Sequence, residues 1–554
     1  MDNQRIFLYG ALFFVLFLIW DAWQKDHAPA PQEVATETRA PSFDAGLPEL
    51  QEGPAASGDA PAREAASPAV QATPPAAEAQ KVRIVTDVLD LLVDTRGANI
   101  VSARLLEYPV DKGNPDLPVQ LMNVANGEFF VTQSGLRSAG DLPAPDYTAV
   151  FRSSAESHEL AAGEDELVVG FTWQADNGVE IEKRYTFHRG RYEIGLDFIV
   201  RNGSEAPWRG DAYLQLTKRL QGVERSFFKP SSYSYTGPAF FNGEKYRKLD
   251  TEDLREASLS ETARGGWGAM LQHYFLGAVI APQDQDNRFY AASVGRDTYR
   301  VGFVQPAITV APGAEGVFEN RLFIGPKLQD QLAEAAPKLE LAVDYGMLTI
   351  IAEPLFWLLD KIHTLVGNWG WAIILLTVLI KLVFYKLSET SGKSMAKMRR
   401  MQPKMQALKE RYGDDREKLN RAMMELYQKE KINPFAGCLP ILIQMPVFIA
   451  LYWVLLESVE LRQAEWILWV NDLSSPDRFY ILPVLMGLAM WAQQKLNPQP
   501  TDPIQARMLM IMPLLMVAFA TIMPAGLVLY WVVNTVLSVA QQWQINRVIE
   551  KANR

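Results

Sequence analysis

Trp371–Leu387 reads WAIILLTVLIKLVFYKL, and the class of fold turns on this run. Ten apolar or weakly polar residues precede Lys381, and four apolar or aromatic ones follow it. Such a stretch has the length and hydropathy of a membrane span, and a lysine inside it is costly unless its amine reaches water or a partner. With the polar edge of the span near Lys386, Lys381 lies about five residues inward, or roughly 8 Å at helical rise. Two readings follow. The amine snorkels to the headgroups along its own alkyl stem, or it faces a water-filled pocket inside a helical bundle.

Working outward, similar runs occupy Phe435–Leu456, Phe479–Trp491 (extendable through Leu496) and Met508–Val539. The last run is 32 residues long and contains Pro524-Ala525-Gly526. One span needs only ~20 residues, so this run reads as two helices joined by a tight turn. Met347–Val366 is apolar but is broken by Glu353, Pro354, Asp360, Lys361 and His363, as an interfacial segment or an extension of the next span would be. The membrane core therefore covers residues 347–542, with spans near 350–385, 435–456, 479–496, 508–523 and 525–542.

Near the N-terminus, Ile6–Trp20 forms another apolar run, read as a signal peptide or a retained anchor over residues 1–23. The nearest small-x-small site, Ala28-Pro29-Ala30, is followed by Pro31, which disfavours cleavage and favours the anchor. Residues 24–80 are rich in Pro, Ala, Glu and Thr and poor in aromatics, so they read as a disordered linker. Residues 81–325 carry many short strand-like runs, among them Ile181–Phe187 and Tyr192–Val200, separated by Gly, Asn, Asp and Pro. Their spacing predicts a large β-sandwich. Residues 326–346 follow a helical period interrupted by Pro337, and read as an amphipathic interfacial helix. The fold class expected is a polytopic α-helical membrane protein of six spans with an exported β domain.

Charge sets the orientation. The whole chain of 554 residues has a formal net charge of -10, which argues against nucleic-acid binding as its main task. Yet Lys386–Lys431 holds thirteen Lys or Arg against seven Asp or Glu, while Glu457–Arg478 holds two against five. The positive-inside rule then places both termini and the 386–431 loop in the cytoplasm and the β domain outside it. The basic tail, 543–554, agrees. Cys438 is the only cysteine, which excludes an intrachain disulfide and a cysteine-based metal cluster.

Lys381 has polar company. Thr377 lies one turn before it, Gln444 sits inside the second core span, and Asn534 lies inside the last. A single amide in a span serves as interhelical glue, whereas several on different spans describe a wetted cavity. No nucleophile–base pair or His–Glu metal signature accompanies them, so neither an enzyme activity nor a cofactor is expected. A cation without a carboxylate in the clear spans suits transient attraction of a polypeptide's acidic or carbonyl groups better than a proton relay. Within residues 387–432, Met395, Met398, Met401, Met405 and Leu408 recur at helical spacing, as do Leu419, Met423 and Leu426 beyond Gly413-Asp414-Asp415. This predicts a helical hairpin. Its methionines either glue the two helices or offer an adaptable surface to apolar segments. With Met395, Met398 and Met405, Arg399 and Arg400 form the candidate contact set, and the basic residues suit anionic lipid or ribosomal RNA without base reading.

Longer stretches carry a resemblance. DNQR at Asp2–Arg5, GPKLQD at Gly325–Asp330, VDYG at Val343–Gly346 and GNWGWAII at Gly367–Ile374 are similar to the YidC/Oxa/Alb family of membrane-protein insertases. So are SMAKMR at Ser394–Arg399, NPFAGCLPILIQMPVFIALY at Asn433–Tyr452, SVELRQA at Ser458–Ala464 and PAGLVLYW at Pro524–Trp531. The resemblance implies a five-helix insertase core around a hydrophilic groove open to cytoplasm and lipid and closed toward the periplasm. It also implies a periplasmic β-supersandwich without sugar chemistry. Lys381 matches a position where the family usually has arginine, so the charge is kept and the bidentate guanidinium fork is lost. Thr377 and Tyr530 match positions associated with substrate contact, Gln444 matches a polar groove position, and Trp531 and Asn534 are placed in the same groove. Tyr385-Lys386-Leu387 stands where relatives often have Tyr-Pro-Leu.

The implied function is insertion and chaperoning of membrane proteins in the bacterial inner membrane, with or without the Sec translocon and without ATP. The implied partners are nascent membrane proteins, the translocon with its accessory subunits, translating ribosomes and membrane lipids, but no sequence-specific nucleic acid. A small-solute transporter would need acid–base pairs between spans and an internal repeat, neither of which is visible. A Sec-associated scaffold would need the exported domain for its function.

Overall fold

The computed structural model describes residues 79–125, 127–222, 234–412, 415–429, 439–496 and 503–551. The expected anchor and nearly all of the linker lie outside the described residues, as do the 430–438 and 497–502 connections and the last three residues of the tail.

Period-two patterning builds the first region. In β3 (Val179–His188, VEIEKRYTFH) alternate residues are buried, and in β4 (Glu193–Asn202) Ile194, Leu196 and Phe198 point the same way. The two pair antiparallel with Ile194 opposite Phe187 and Phe198 opposite Lys183. β4 continues onto β7 (Glu315–Pro326), and β7 onto β6 (Phe275–Ile280), both antiparallel. These strands form the middle of a nine-stranded sheet, which is accompanied by a five-stranded and a six-stranded sheet. The five-stranded sheet ends in the long hairpin of β1 (Asn99–Asp111) and β2 (Asn114–Met122), with β2 at its edge. In the six-stranded sheet β5 (Trp208–Arg219) sends Ala212, Leu214 and Leu216 inward. One inward position carries an amine. Lys183 is wholly buried, and its Nζ donates to the Gly97 carbonyl at 2.7 Å. Without a carboxylate to balance it, burial holds this amine far below the usual lysine range.

Past β7 the chain is helical. α1 (Gln329–Ala335) is shorter than the expected amphipathic segment 326–346, because Pro337 cannot continue it and the next turn is a 3₁₀ helix, Leu339–Ala342. Its apolar side is also spent differently. Leu332, Ala335 and Leu339 are buried in protein, and Arg321 and the Trp267 indole donate to the carbonyls of Ala335 and Pro337. A stripe used for the protein core is not free to lie on a bilayer.

The expected 350–385 span is two helices, α2 (Thr349–Val366) and α3 (Trp369–Val383). Gly367 takes the left-handed conformation at φ 68°, closing α2 with its N–H on the His363 carbonyl. The Asn368 side chain then caps α3 by accepting from the Trp371 N–H at 3.1 Å. α4 (Tyr385–Tyr412) follows after a bend of 68°. α5 (Arg416–Lys429) folds back on α4, with Met401 and Met405 buried between them against Met398, Met423, Leu426 and Tyr427.

α6 (Leu439–Glu457), α7 (Ile481–Leu496), α8 (Pro503–Ala520) and α9 (Ala525–Lys551) complete the chain. α9 packs on α3, α4, α6 and α7 and is the hub of the bundle. It runs through Lys551, so most of the expected tail is its last turns. Among the described residues no single helix is long and apolar enough to cross a membrane, and the bent pair of α3 and α4 passes that test together.

The two regions share one buried core. His273 donates to the Leu456 carbonyl at 2.9 Å, Ser234 donates to the Glu457 carboxylate, and the hydroxyls of Tyr345 and Ser458 lie 3.3 Å apart. His273 of the β domain therefore satisfies the Leu456 carbonyl, which the end of α6 cannot satisfy itself.

Candidate functional site

A cavity of about 690 Å3 lies inside the bundle. Lys381 reaches it from α3, Gln444 and Phe448 from α6, Gln493 from α7, and Met512 and Met516 from α8. α4 contributes Ser388, Ser391, Gly392 and Met395. The largest share comes from α9, whose Tyr530, Asn534, Ser538 and Gln542 recur every fourth residue and so stand on one face. α4 comes close to that face at Gly392, where a Cβ would meet the Gln542 amide at 2.9 Å and Ile545 at 2.7 Å.

The polar groups are wired together. Lys381 Nζ donates to Ser538 Oγ at 2.8 Å, and that hydroxyl donates to the Asn534 carbonyl at 2.7 Å. The Asn534 side-chain oxygen accepts from Gln444 Nε2 at 2.6 Å, and the same nitrogen lies 3.4 Å from Tyr530 Oη. Three helices thus share one polar network inside the bundle, where each bond is stronger than in water. No carboxylate lines the cavity among the described residues. Lys381 turns inward to α9, and this geometry, not snorkelling, is the one its side chain adopts.

Beyond Tyr530 the start of α9 lies outside the cavity lining. The loop after α6 folds over the start of α9, with the N–H groups of Ala525 and Gly526 donating to the carbonyls of Ser475 and Leu473 at 2.8 and 2.9 Å. Asp472 fixes that loop by accepting from Gln463 N, Ser474 N and the hydroxyls of Ser474 and Ser475. Toward α4 the lining continues through Ser388, Gln541 and Gln542.

The residues singled out in the sequence divide accordingly. Lys381, Gln444, Tyr530, Trp531, Asn534 and Met395 line the cavity together. Thr377 does not. It is 1% exposed, and its hydroxyl spends its only proton on the Ile373 carbonyl one turn back at 2.6 Å. Met398 and Met405 are taken up by the hairpin interior. Arg399 and Arg400 are exposed on α4, with Arg399 donating to the Leu496 carbonyl at 3.4 Å. Ser538, Gln541 and Gln542 are not among the residues singled out in the sequence; Ser538 and Gln542 continue the four-residue spacing from Tyr530, and Gln541 falls outside it.

Residues 361–552 match the family model of the 60Kd inner membrane protein, and residues 81–358 match that of the YidC periplasmic domain. Membrane protein insertase YidC of Thioalkalivibrio sulfidiphilus is 49% identical over 563 residues, with 100% of both chains covered. That of Nitrosococcus oceani is 48% identical over 553 residues, again with 100% of both covered. The chain belongs to the YidC family of membrane protein insertases. YidC-family proteins are inner-membrane proteins and not enzymes. Among solved structures, an active YidC insertase with its first transmembrane domain resolved aligns at a TM-score of 0.37 and 17% identity, over 83% of this chain and 92% of that one.

Proposed function

We propose that the cavity is an insertion groove, in which the polar flank of an arriving polypeptide is held while its apolar segment passes sideways into lipid. The observation that carries this reading is Lys381, a cation held on Ser538 with no carboxylate in the cavity lining among the described residues. Such a group attracts acidic side chains and carbonyls without binding them covalently, and leaves no acid–base pair for a coupled transporter.

In this reading the anchor and the helices α3, α6, α7, α8 and α9 make six spans, with both termini and the α4–α5 hairpin cytoplasmic and the β domain periplasmic. The loop that closes over Ala525 and Gly526 seals the groove on the periplasmic side. Helix lengths support a shortened path. α3 has 15 residues and α7 has 16, roughly 22–24 Å of rise against a hydrocarbon core of ~30 Å. Beside these two short helices the bilayer thins. Apolar burial and the membrane potential drive the step, the latter at ~2.3 kcal/mol per charge per 100 mV. No ATP is needed. Small proteins with one or two spans are the natural cargo. Larger cargo passes from the Sec translocon, for which the chain also acts as a folding chaperone, and basic groups such as Arg399 and Arg400 meet lipid headgroups and the ribosome.

The test is reconstitution into sealed liposomes with a short single-span substrate. Protease protection of the translocated flank is expected only in vesicles that contain the chain. Equal protection in empty vesicles would remove the insertase reading.

A further inference from the structure

The β1–β2 hairpin is the part of the β domain that this function leaves unexplained. Near its tip, Val110 is 54% exposed and Leu117 is 52% exposed. β2 is an edge strand, but Pro115 and Pro118 lack the N–H groups that an added strand would pair with. A peptide recruited by strand addition is therefore a poor occupant.

The position of the tip points to a better one. Lys112 Nζ donates to the carbonyls of Gln463 and Asn471 at 3.1 and 2.9 Å and pairs with the Glu465 carboxylate at 2.6 Å. Arg462 and Gln463 return hydrogen bonds to the Pro109 carbonyl at 2.7 and 3.0 Å. The carbonyls of Glu465 and Trp466 in turn accept from the side chain of Asn368, which caps α3. The tip is thus joined through one loop to the first turn of the helix that carries Lys381. Trp371 and Trp466 meet edge to face there, with ring centroids 5.9 Å apart. Nearby in sequence, Leu468 is 80% exposed, and Phe479 and Tyr480, just before α7, are 60% and 53% exposed. Tryptophan and tyrosine at helix ends mark the membrane interface.

We propose that the β1–β2 tip is a lipid-contacting finger, its exposed Val110 and Leu117 lying in the headgroup region of the outer leaflet beside the aromatic end of the bundle. Asp111 and Asp116 on the same tip keep it shallow, since carboxylates do not enter hydrocarbon. The finger joins the rigid β domain to the bilayer at a second point beyond the chain connection at α1. This inference rests on the reading that α3 and α7 lie in the membrane with these ends outward.

Because Cys438 is the only cysteine, a Cys438→Ser background permits single nitroxide labels at Val110→Cys and Leu117→Cys in the full chain. Leu485→Cys on α7 serves as the lipid control and Val168→Cys, opposite Thr186 of β3, as the aqueous control, both exposed. In vesicles of phosphatidylethanolamine and phosphatidylglycerol, labels at 110 and 117 are expected to collide with oxygen more than with a water-soluble nickel chelate. Position 485 should show the same preference at greater depth, and 168 the opposite one. Labels at 110 and 117 that behave like 168 while 485 reports lipid would overturn the finger and leave the bundle reading intact. An aqueous 485 would overturn both. Dipolar broadening between labels at 110 would place a second copy of the chain on the hairpin and overturn the lipid assignment.

Discussion

Lys381 and Ser538 sit on different helices, and their bond fixes where the positive charge stands in the cavity. Ser538→Ala removes the acceptor while leaving α9 its backbone bonds. Its cost in stability should be small, ~1 kcal/mol, whereas insertion should fall several-fold as the amine loses its position; thermal unfolding and protease protection read the two separately. Lys381 was legible from the sequence because a charge in an apolar run stands out, but Ser538 hardly disturbs hydropathy and shows only through its four-residue spacing from Asn534. Thr377 misled in the other direction. Its place one turn before Lys381 is real, yet it is buried and its proton goes to its own helix. Glu460 offers a test outside the membrane. Burial, with the charges of Asp360 and Asp330 nearby, raises its carboxyl to about 7, against the bonds it accepts from backbone N–H groups. The folded state then holds a proton that the unfolded state releases, so this contribution is full below the ordinary carboxylate range and is lost as pH rises through 7. Tm should drop by a few degrees between pH 5 and pH 8, and Glu460→Gln should flatten that part of the profile.

Helices and turns show what periodicity carries and what it misses. The methionine spacing of the hairpin was readable, but which surface the methionines serve was not, because a stripe that faces a partner helix and one that faces cargo have the same period. With Met401 and Met405 buried between α4 and α5, Met401→Ala should cost ~2–4 kcal/mol of local stability. Faster hydrogen exchange in α5, with exchange in α9 unchanged, is the expected signature. The break between α2 and α3 is written in Gly367-Asn368, a helix-stop residue followed by a helix-start residue. Hydropathy averaged across it and produced one span. Gly367→Ala forces a side chain into the left-handed region at φ 68° and should destabilise by ~1 kcal/mol, measurable as a lower Tm with little change in helicity.

For the molecule as a whole, composition separated a strand-rich domain from a helical one, and the sheet order, the meeting of the two regions and the cavity required three dimensions. His273, Ser234 and Tyr345 reach the end of α6 from parts of the chain far apart in sequence, so no local pattern announces them. The β domain supports α6 but, among the described residues, lines none of the groove. Deleting residues 27–320 should therefore lower thermal stability and leave substantial insertion, where a scaffold would lose its function. The central claim is that a positive charge in the groove receives the polar flank. Lys381→Arg, Lys381→Ala and Lys381→Glu compared in sealed liposomes, by protease protection of a short single-span substrate, test it most directly. The account predicts near-normal insertion for Arg, a marked loss for Ala and the greatest loss for Glu with an acidic flank; equal insertion by all three would contradict it.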